Sequence, residues 1–519
     1  MLRSRIPARA LLLTGLLAPV AVADVQFLDV STAAGFEPGL DATIPAGGIA
    51  VADFDRNGYP DIFVTGYDEP NRLFFNDGAG AFIEDPAVNS QLQGSQCSTT
   101  AAADYDNDGW VDLYFGCRGG SNRLLRNTGT GFEDVTTTVV DHDPMSTSGP
   151  RTDAVAWGDL DRNGLADLFV GIYPVSTPAD PNEPLNRDRM LLQTSPGVWT
   201  DAALDFDFPT LARPALAAMI ADIDRDGHSD LYVVNDKEVG NSLWRNAGPG
   251  CGGVCMIDVA PASGADRPVF GMGIAAGDID RDGLVDLYFS SIGEQVLLRG
   301  TADDPLAFEE HQDVAGVNHP GIGWATIFSD FDHDGYEDAY LAVMPSPGGT
   351  PDGADQCSRN LGDGTFENVT AQSGLGNDIV TISAARIDYD RDGRMDLVLG
   401  HSTQGYRLYR NQSTTGNWIG FRLEGGGPGV TRDALGAWVE IETADGIQVR
   451  EMRAGESRGS SHDPVLHFGL ADAVEADVTI VWPDGTTEQV GPLAAGRYHH
   501  RAHPQFDPLF EGSFESGAP

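Results

Sequence analysis

One nine-residue pattern constrains this chain more than any other feature: Asp, any residue, Asp, any residue, Asn or Asp, Gly, two of any kind, Asp. It occurs seven times in 519 residues, beginning at Asp53, Asp104, Asp159, Asp222, Asp278, Asp330 and Asp388, at intervals of 51 to 63 residues. That period is the length scale of a four-stranded propeller blade and is far longer than a nonapeptide β-roll repeat. A unit of this size leaves hydrophobic surface uncovered on its own, so seven of them must stack on one another.

The flanks of the loops fit blades. Small and apolar runs precede most copies, as in Ala50-Val51-Ala52, Ala101-Ala102-Ala103 and Ala154-Val155-Ala156, where inner strands would crowd around an axis. A short, continuously apolar strand follows each copy, such as Ile62-Phe63-Val64 or Leu287-Tyr288-Phe289, the mark of a strand covered on both faces. Third strands read at Arg72–Asn76, Arg123–Asn127 and Arg407–Asn411, and fourth strands around Phe132 and Phe366. The phase of those fourth strands recurs before the first loop, at Phe27-Leu28-Asp29-Val30-Ser31, while the seventh unit changes character after Asn411. The N-terminal segment is therefore expected to supply the outer strand of the seventh blade, which closes the ring and hides its edges. The 64 glycines and 31 prolines spread along the chain agree with many tight turns rather than long helices.

Within each loop, oxygen donors at positions 1, 3 and 5, glycine at 6 and a further carboxylate suit a hard cation that takes six to eight oxygen ligands. Calcium, up to seven ions with one per blade loop, is the expected cofactor. Magnesium prefers a tighter, more hydrated octahedron, and zinc or copper would want His or Cys at these positions. The candidate ligands at position 1 are Asp53, Asp104, Asp159, Asp222, Asp278, Asp330 and Asp388. At position 3 they are Asp55, Asp106, Asp161, Asp224, Asp280, Asp332 and Asp390, and at position 5 Asn57, Asp108, Asn163, Asp226, Asp282, Asp334 and Asp392. Asp61, Asp112, Asp167, Asp230, Asp286, Asp338 and Asp396 close the loops at position 9. An EF-hand opens in the same way but needs a bidentate Glu at position 12, where these loops carry Val64, Phe115, Val170, Val233, Phe289, Leu341 and Leu399. A lone Asp-Gly motif would be a solvated turn; seven copies that keep carboxylates at positions 1, 3 and 9 exceed what a turn requires. By carboxylate count, the loops with Asn57 and Asn163 should bind most weakly.

The formal charge of −46 disfavours nucleic acid and anionic membranes as partners. Arg3, Arg5 and Arg9, the apolar run Ala10 to Val20 and Ala21-Val22-Ala23 read as a signal peptide over residues 1–23. Export implies an extracellular location, or a periplasmic one in a bacterium. Disulfides are then expected between Cys97 and Cys117 and between Cys251 and Cys255, with Cys357 left over.

The DxDx[DN]GxxD loops and turns such as Asn127-Thr128-Gly129-Thr130-Gly131-Phe132 resemble the FG-GAP/VCBS repeats of integrin α-subunit propellers over about residues 25 to 411. In that family the loops bind calcium at one face of a seven-bladed propeller. After a polar linker, Gln412 to Asn417, the elements His467-Phe468-Gly469-Leu470 and Trp482-Pro483-Asp484-Gly485 are similar to the ASPIC/UnbV domain. The order of the two is that of the cartilage acidic protein family. The expected architecture is all-β: a seven-bladed β-propeller over 24–411, a small antiparallel β domain over 412–503, and a tail over 504–519.

The resemblance implies a calcium-binding interaction or adhesion protein with an extracellular or surface protein or glycan as partner. It supplies no assigned reaction; nucleic acid is disfavoured by the charge, and membrane insertion by the lack of any later apolar stretch near the ~20 residues a transmembrane helix requires. An alternative is a polysaccharide lyase or hydrolase on the same scaffold, since propellers host both kinds of function. With Lys237 the sole lysine and His142, His228, His311, His319, His333 and His401 scattered, the sequence nominates no catalytic constellation. His499, His500 and His503 are read as a polar end-of-domain cluster, and His467 and Trp482 as packing residues.

Overall fold

The computed structural model describes residues 25–37, 47–67, 69–94, 96–136, 151–174, 186–203, 213–248, 254–302, 306–344, 354–376, 379–402, 404–413 and 416–506. The expected signal peptide, Cys251, His142 and most of the tail lie outside them.

Seven four-stranded antiparallel sheets follow one another, each containing one loop between its first and second strands. Blade 1 runs Ile49–Ala52, Asp61–Val64, Arg72–Asn76, Phe82–Glu84, and blade 2 runs Cys97–Ala103, Asp112–Cys117, Arg123–Asn127, Phe132–Asp134. The innermost strands of blades 3 to 7 are Arg151–Gly158, Ala215–Ala221, Ile274–Gly277, Ile322–Ser329 and Thr381–Ile387. Neighbouring inner strands pack in ring order, and blade 7 returns to blade 1. As the sequence leads one to expect, the outer strand of blade 7 is Phe27–Asp29, antiparallel to Gly405–Asn411 with Phe27 opposite Asn411. Chain start and propeller end thus share a sheet, and the ring has no open seam.

The second strands are buried along their length, and apolar clusters fill the space between blades rather than within one. Cys97 lies directly opposite Cys117 across the first two strands of blade 2 and is bonded to it. Cys255 is also disulfide-bonded, while Cys357 is free and buried.

Residues from Asn417 onward form two further sheets around one core that includes Ile419, Phe421, Val439, Phe468, Ile480 and Trp482. One is antiparallel: Gly446–Glu451, Trp438–Thr443, Glu475–Val481 and Thr487–Ala494. The other departs from the antiparallel expectation. Its central strand, Asn417–Glu424, is antiparallel to Leu466–Ala471 but parallel to Tyr498–Ala502. The last strand reaches it by crossing from the other sheet instead of through a hairpin, which is how parallel neighbours must be joined.

This domain does not hang free. Its segment 451–463 enters the propeller axis and supplies partners to all seven blades. Ser461 exchanges main-chain hydrogen bonds with Ile49 and Val51 of blade 1, Gly459 accepts from Thr100 of blade 2, and Ala454 accepts from Trp157 of blade 3. Glu451 accepts from the Asp222 N–H of blade 4, and Ser457 pairs with Ile274 of blade 5. Arg458 lies over the Trp324 ring of blade 6, and Asp463 donates to the Arg386 carbonyl of blade 7. Small residues make room: a Cβ on Gly48 would come within 2.2 Å of the Gly459 carbonyl oxygen.

Candidate metal centres

Each loop is built by its own side chains. The first-position carboxylate spans it: its Oδ2 accepts the N–H of the sixth-position glycine at 2.7 to 3.0 Å in all seven copies. Those glycines have φ from 83° to 96°. The fourth position is also left-handed in every copy, with Arg56, Asn107, Arg162, Arg225, Arg281, His333 and Arg391 at φ from 56° to 60°. Seven non-glycine residues held there show that the surrounding hydrogen bonds, not local preference, set the turn.

The ninth-position aspartate has a second task that its spacing did not reveal. Its Oδ2 accepts the N–H of loop position 2, and its Oδ1 accepts an N–H near the end of the third strand, for Asp61 from Phe54 and Asn76, both at 2.8 Å. The same pair recurs on Asp112, Asp167, Asp230, Asp286, Asp338 and Asp396. These carboxylates tie loop to blade, and all are buried.

Carboxylate oxygens of Asp53, Asp55 and Asp61 lie within 4.8 Å of one another, as do those of Asp104, Asp106 and Asp108. So do those of Asp159, Asp161 and Asp167, of Asp222, Asp224 and Asp230, and of Asp278, Asp280 and Asp282. Burial, and then mutual repulsion, work against ionisation there. Asp61 is pushed up to about 8, and Asp159, Asp222 and Asp278 to about 7, chiefly by burial. Asp112 and Asp230 are raised well above the carboxylate range by burial, with the neighbouring aspartates adding to it. Buried oxygens without any hydrogen-bond partner remain in three loops, Asp278 Oδ1, Asp330 Oδ1 and Asp390 Oδ1. Converging hard oxygens, some orphaned, fit a divalent cation of the calcium or magnesium kind, and these groups can hold a metal ion.

The C-terminal domain docks on this face. Asp433 accepts the Asp104 N–H at 2.5 Å and Asp463 accepts the Asp388 N–H at 3.2 Å, while the Tyr498 hydroxyl donates to Asp388 at 2.6 Å. Arg422 lies 3.5 Å from Asp53. Sequence reasoning missed these contacts, because they join residues hundreds of positions apart. The histidines near the end do not converge: His500 pairs with Glu424, His503 with Asp484, and His499 bonds the Ala494 carbonyl. His467 and Trp482 are buried in packing contacts, as expected.

A profile of FG-GAP-like repeats matches residues 53–115, 104–170, 222–289 and 330–399, spans that together include all seven loops, and the ASPIC and UnbV profile matches residues 427–505. The chain is an FG-GAP repeat propeller with an ASPIC/UnbV domain. It is 25% identical over 473 residues to cartilage acidic protein 1 of Homo sapiens, covering 84% of this chain and 69% of that one. The Mus musculus protein of the same name is also 25% identical, with 84% and 70% covered. Among solved structures, an Agrocybe aegerita lectin that recognises non-reducing terminal N-acetylglucosamine aligns at 15% identity and a TM-score of 0.42, over 64% of this chain and 82% of its own. The FG-GAP loops and the ASPIC/UnbV domain therefore meet at one face, with the domain's own carboxylates touching the loops.

Proposed function

We propose that this FG-GAP/ASPIC chain is an exported calcium-binding protein that acts by binding a protein or glycan and not by turnover. The observation that carries the reading is the sevenfold loop in which buried carboxylates converge and three oxygens stand without partners. Bound calcium would supply the positive charge those carboxylates lack; Asp53, Asp55, Asn57 and Asp61, and their equivalents in the other six blades, would hold it. The ASPIC/UnbV domain takes up part of the loop face, and the opposite face, where the second and third strands of each blade connect, is the face offered to a macromolecular partner. The leader read in residues 1–23 and the Cys97–Cys117 disulfide support export. Against the lyase or hydrolase alternative, His401 is buried and held down to about 4, and burial likewise depresses His333, His462 and His467, a poor setting for general bases.

Thermal unfolding of the exported chain in calcium, magnesium or chelator, with metal analysis of the purified protein, tests this. Sites in the extracellular range of roughly 10⁻⁴ to 10⁻³ M would each add about 0.4 to 1.4 kcal/mol at millimolar calcium. The expected result is a large calcium-selective rise in melting temperature with several ions bound. Identical melting in all three conditions would reduce the loops to acidic turns.

A further inference from the structure

Seven copies of one loop make an internal comparison, and they differ in one paired way. In five loops position 5 is an aspartate, and the third strand of the same blade carries an arginine just before the residue whose N–H binds the ninth-position carboxylate. These are Arg126, Arg245, Arg299, Arg359 and Arg410. Each bridges the Oδ2 oxygens at positions 3 and 5. Arg126 reaches Asp106 and Asp108 at 2.7 and 2.9 Å, and Arg299 reaches Asp280 and Asp282 at 2.5 and 3.1 Å. Arg359 reaches Asp332 and Asp334 at 2.6 and 3.0 Å, and Arg410 reaches Asp390 and Asp392 at 2.7 and 3.0 Å. Arg245 holds Asp224 and Asp226 in the same manner.

In the other two loops position 5 is Asn57 or Asn163, and the equivalent strand residue is Phe75 or Leu192. There the carboxamide replaces the guanidinium. Asn57 Nδ2 donates to Asp55 Oδ2 at 3.2 Å and to the Asn76 carbonyl at 2.6 Å; Asn163 Nδ2 donates to Asp161 Oδ2 at 3.1 Å and to the Gln193 carbonyl at 2.8 Å. Charge at position 5 and charge on the strand are present together or absent together.

We propose that the five arginines are positioning residues that set the charge of the metal loops: position 5 and its strand partner add no net charge in any blade, so each loop faces its ion with the carboxylates of positions 1, 3 and 9. The ranking by carboxylate count, which made the Asn57 and Asn163 loops weakest, no longer follows. Two loops carry a guanidinium beyond this pairing: Arg394 sits on Asp392 of the loop at Asp388, and Arg422 lies 3.5 Å from Asp53 of the first loop. The proposal rests on the calcium reading above.

The test is equilibrium dialysis of the full chain against calcium, counting ions bound at the free concentration that half-fills the native protein. Asp226→Asn alone should weaken its site on the order of ten-fold, and Asp226→Asn with Arg245→Leu should recover to within about three-fold of native. The double variant reproduces the pairing already present in blade 3, so it is compatible with the fold. The reciprocal pair gives a second cycle: Leu192→Arg should weaken the third loop, and adding Asn163→Asp should restore it. A double variant that binds no better than its weakened single variant overturns the proposal while leaving calcium binding intact. A native chain that binds no calcium overturns both.

Discussion

Asp355 shows how one residue can carry a pH dependence that its amide counterparts in the repeat avoid, one it shares with Asp188 of blade 3, which burial also pushes up to about 7. Before the third strand of six blades stands a side chain that accepts a main-chain N–H near the end of the second strand: Asn71 from Gly66, Asn122 from Cys117, Asp188 from Ile172, Asn241 from Asn235, Gln295 from Ser291 and Asp355 from Val343. Asn241 also donates to the Tyr232 hydroxyl, whereas Asp355 accepts from the hydroxyls of Tyr340 and Thr381, each at 2.7 Å. Complete burial pushes Asp355 up to about 7 from its ordinary 3.8. The folded chain therefore keeps a proton there that the unfolded chain releases near pH 4. This stabilisation is full below about pH 4 and is lost as pH rises through 7. Asp355→Asn should behave as Asn241 does and remove the dependence. Melting of the two proteins compared from pH 4 to 8 should show the variant gaining with pH, to roughly 1–4 kcal/mol at pH 8. Parallel curves would mean that Asp355 does not titrate in this range.

At the scale of elements, the blades are stapled as well as packed. The amide at the end of a third strand donates to the position-2 carbonyl of the preceding blade's loop: Asn127 to Phe54, Gln193 to Tyr105, Asn246 to Leu160, Asn360 to Ile279, Asn411 to Phe331, and Asn76 back to Tyr389, all at 2.7 to 2.9 Å. Blade 5 has Gly300 at this place, and a cavity of about 290 Å³ bounded by Ile223, Leu284 and Gly300 opens between blades 4 and 5. Asn246→Ala would leave the Leu160 and Ser229 carbonyls and the Gly248 N–H unpaired in a buried position. It should cost about 2–4 kcal/mol, read by denaturant unfolding in chelator; a loss within error would show that packing alone joins the blades. The loops, the blades and the closing strand at Phe27 were legible because they repeat, and a repeat can be read without knowing what it touches. The Arg-Asn pairs of the third strands were equally visible, as in Arg126-Asn127 and Arg410-Asn411, but their roles depend on which blade each side chain faces. Segment 451–463 had no pattern to read, since its partners are mostly main-chain groups and main-chain groups have no sequence.

At the scale of the whole molecule, that segment decides whether there are two domains or one folding unit. Inner strands ringed around an axis turn unpaired N–H and C=O groups toward it, and buried groups of that kind must be satisfied. Residues 451–463 satisfy them on blades 1 to 5 and 7, and two of the charged groups carried in with them are paired, Arg458 with Asp153 at 3.4 Å and Asp463 with Arg391 at 2.6 Å. Asp433, Glu451 and Asp463 also accept the first N–H of three of the acidic loops, so the same docking fixes the carboxylates that would hold calcium. Propeller, loops and ASPIC/UnbV domain should then unfold in a single calorimetric transition, and calcium should move that transition as a whole. A chain ended at residue 413 loses several main-chain hydrogen bonds at roughly 0.5–1.5 kcal/mol each. Its melting should fall by on the order of 10 °C, and the calcium-dependent rise should shrink with it. Two resolved transitions in the full chain, with the upper one unchanged by the truncation, would show that the axis segment is a passenger and that the propeller stands on blade packing alone.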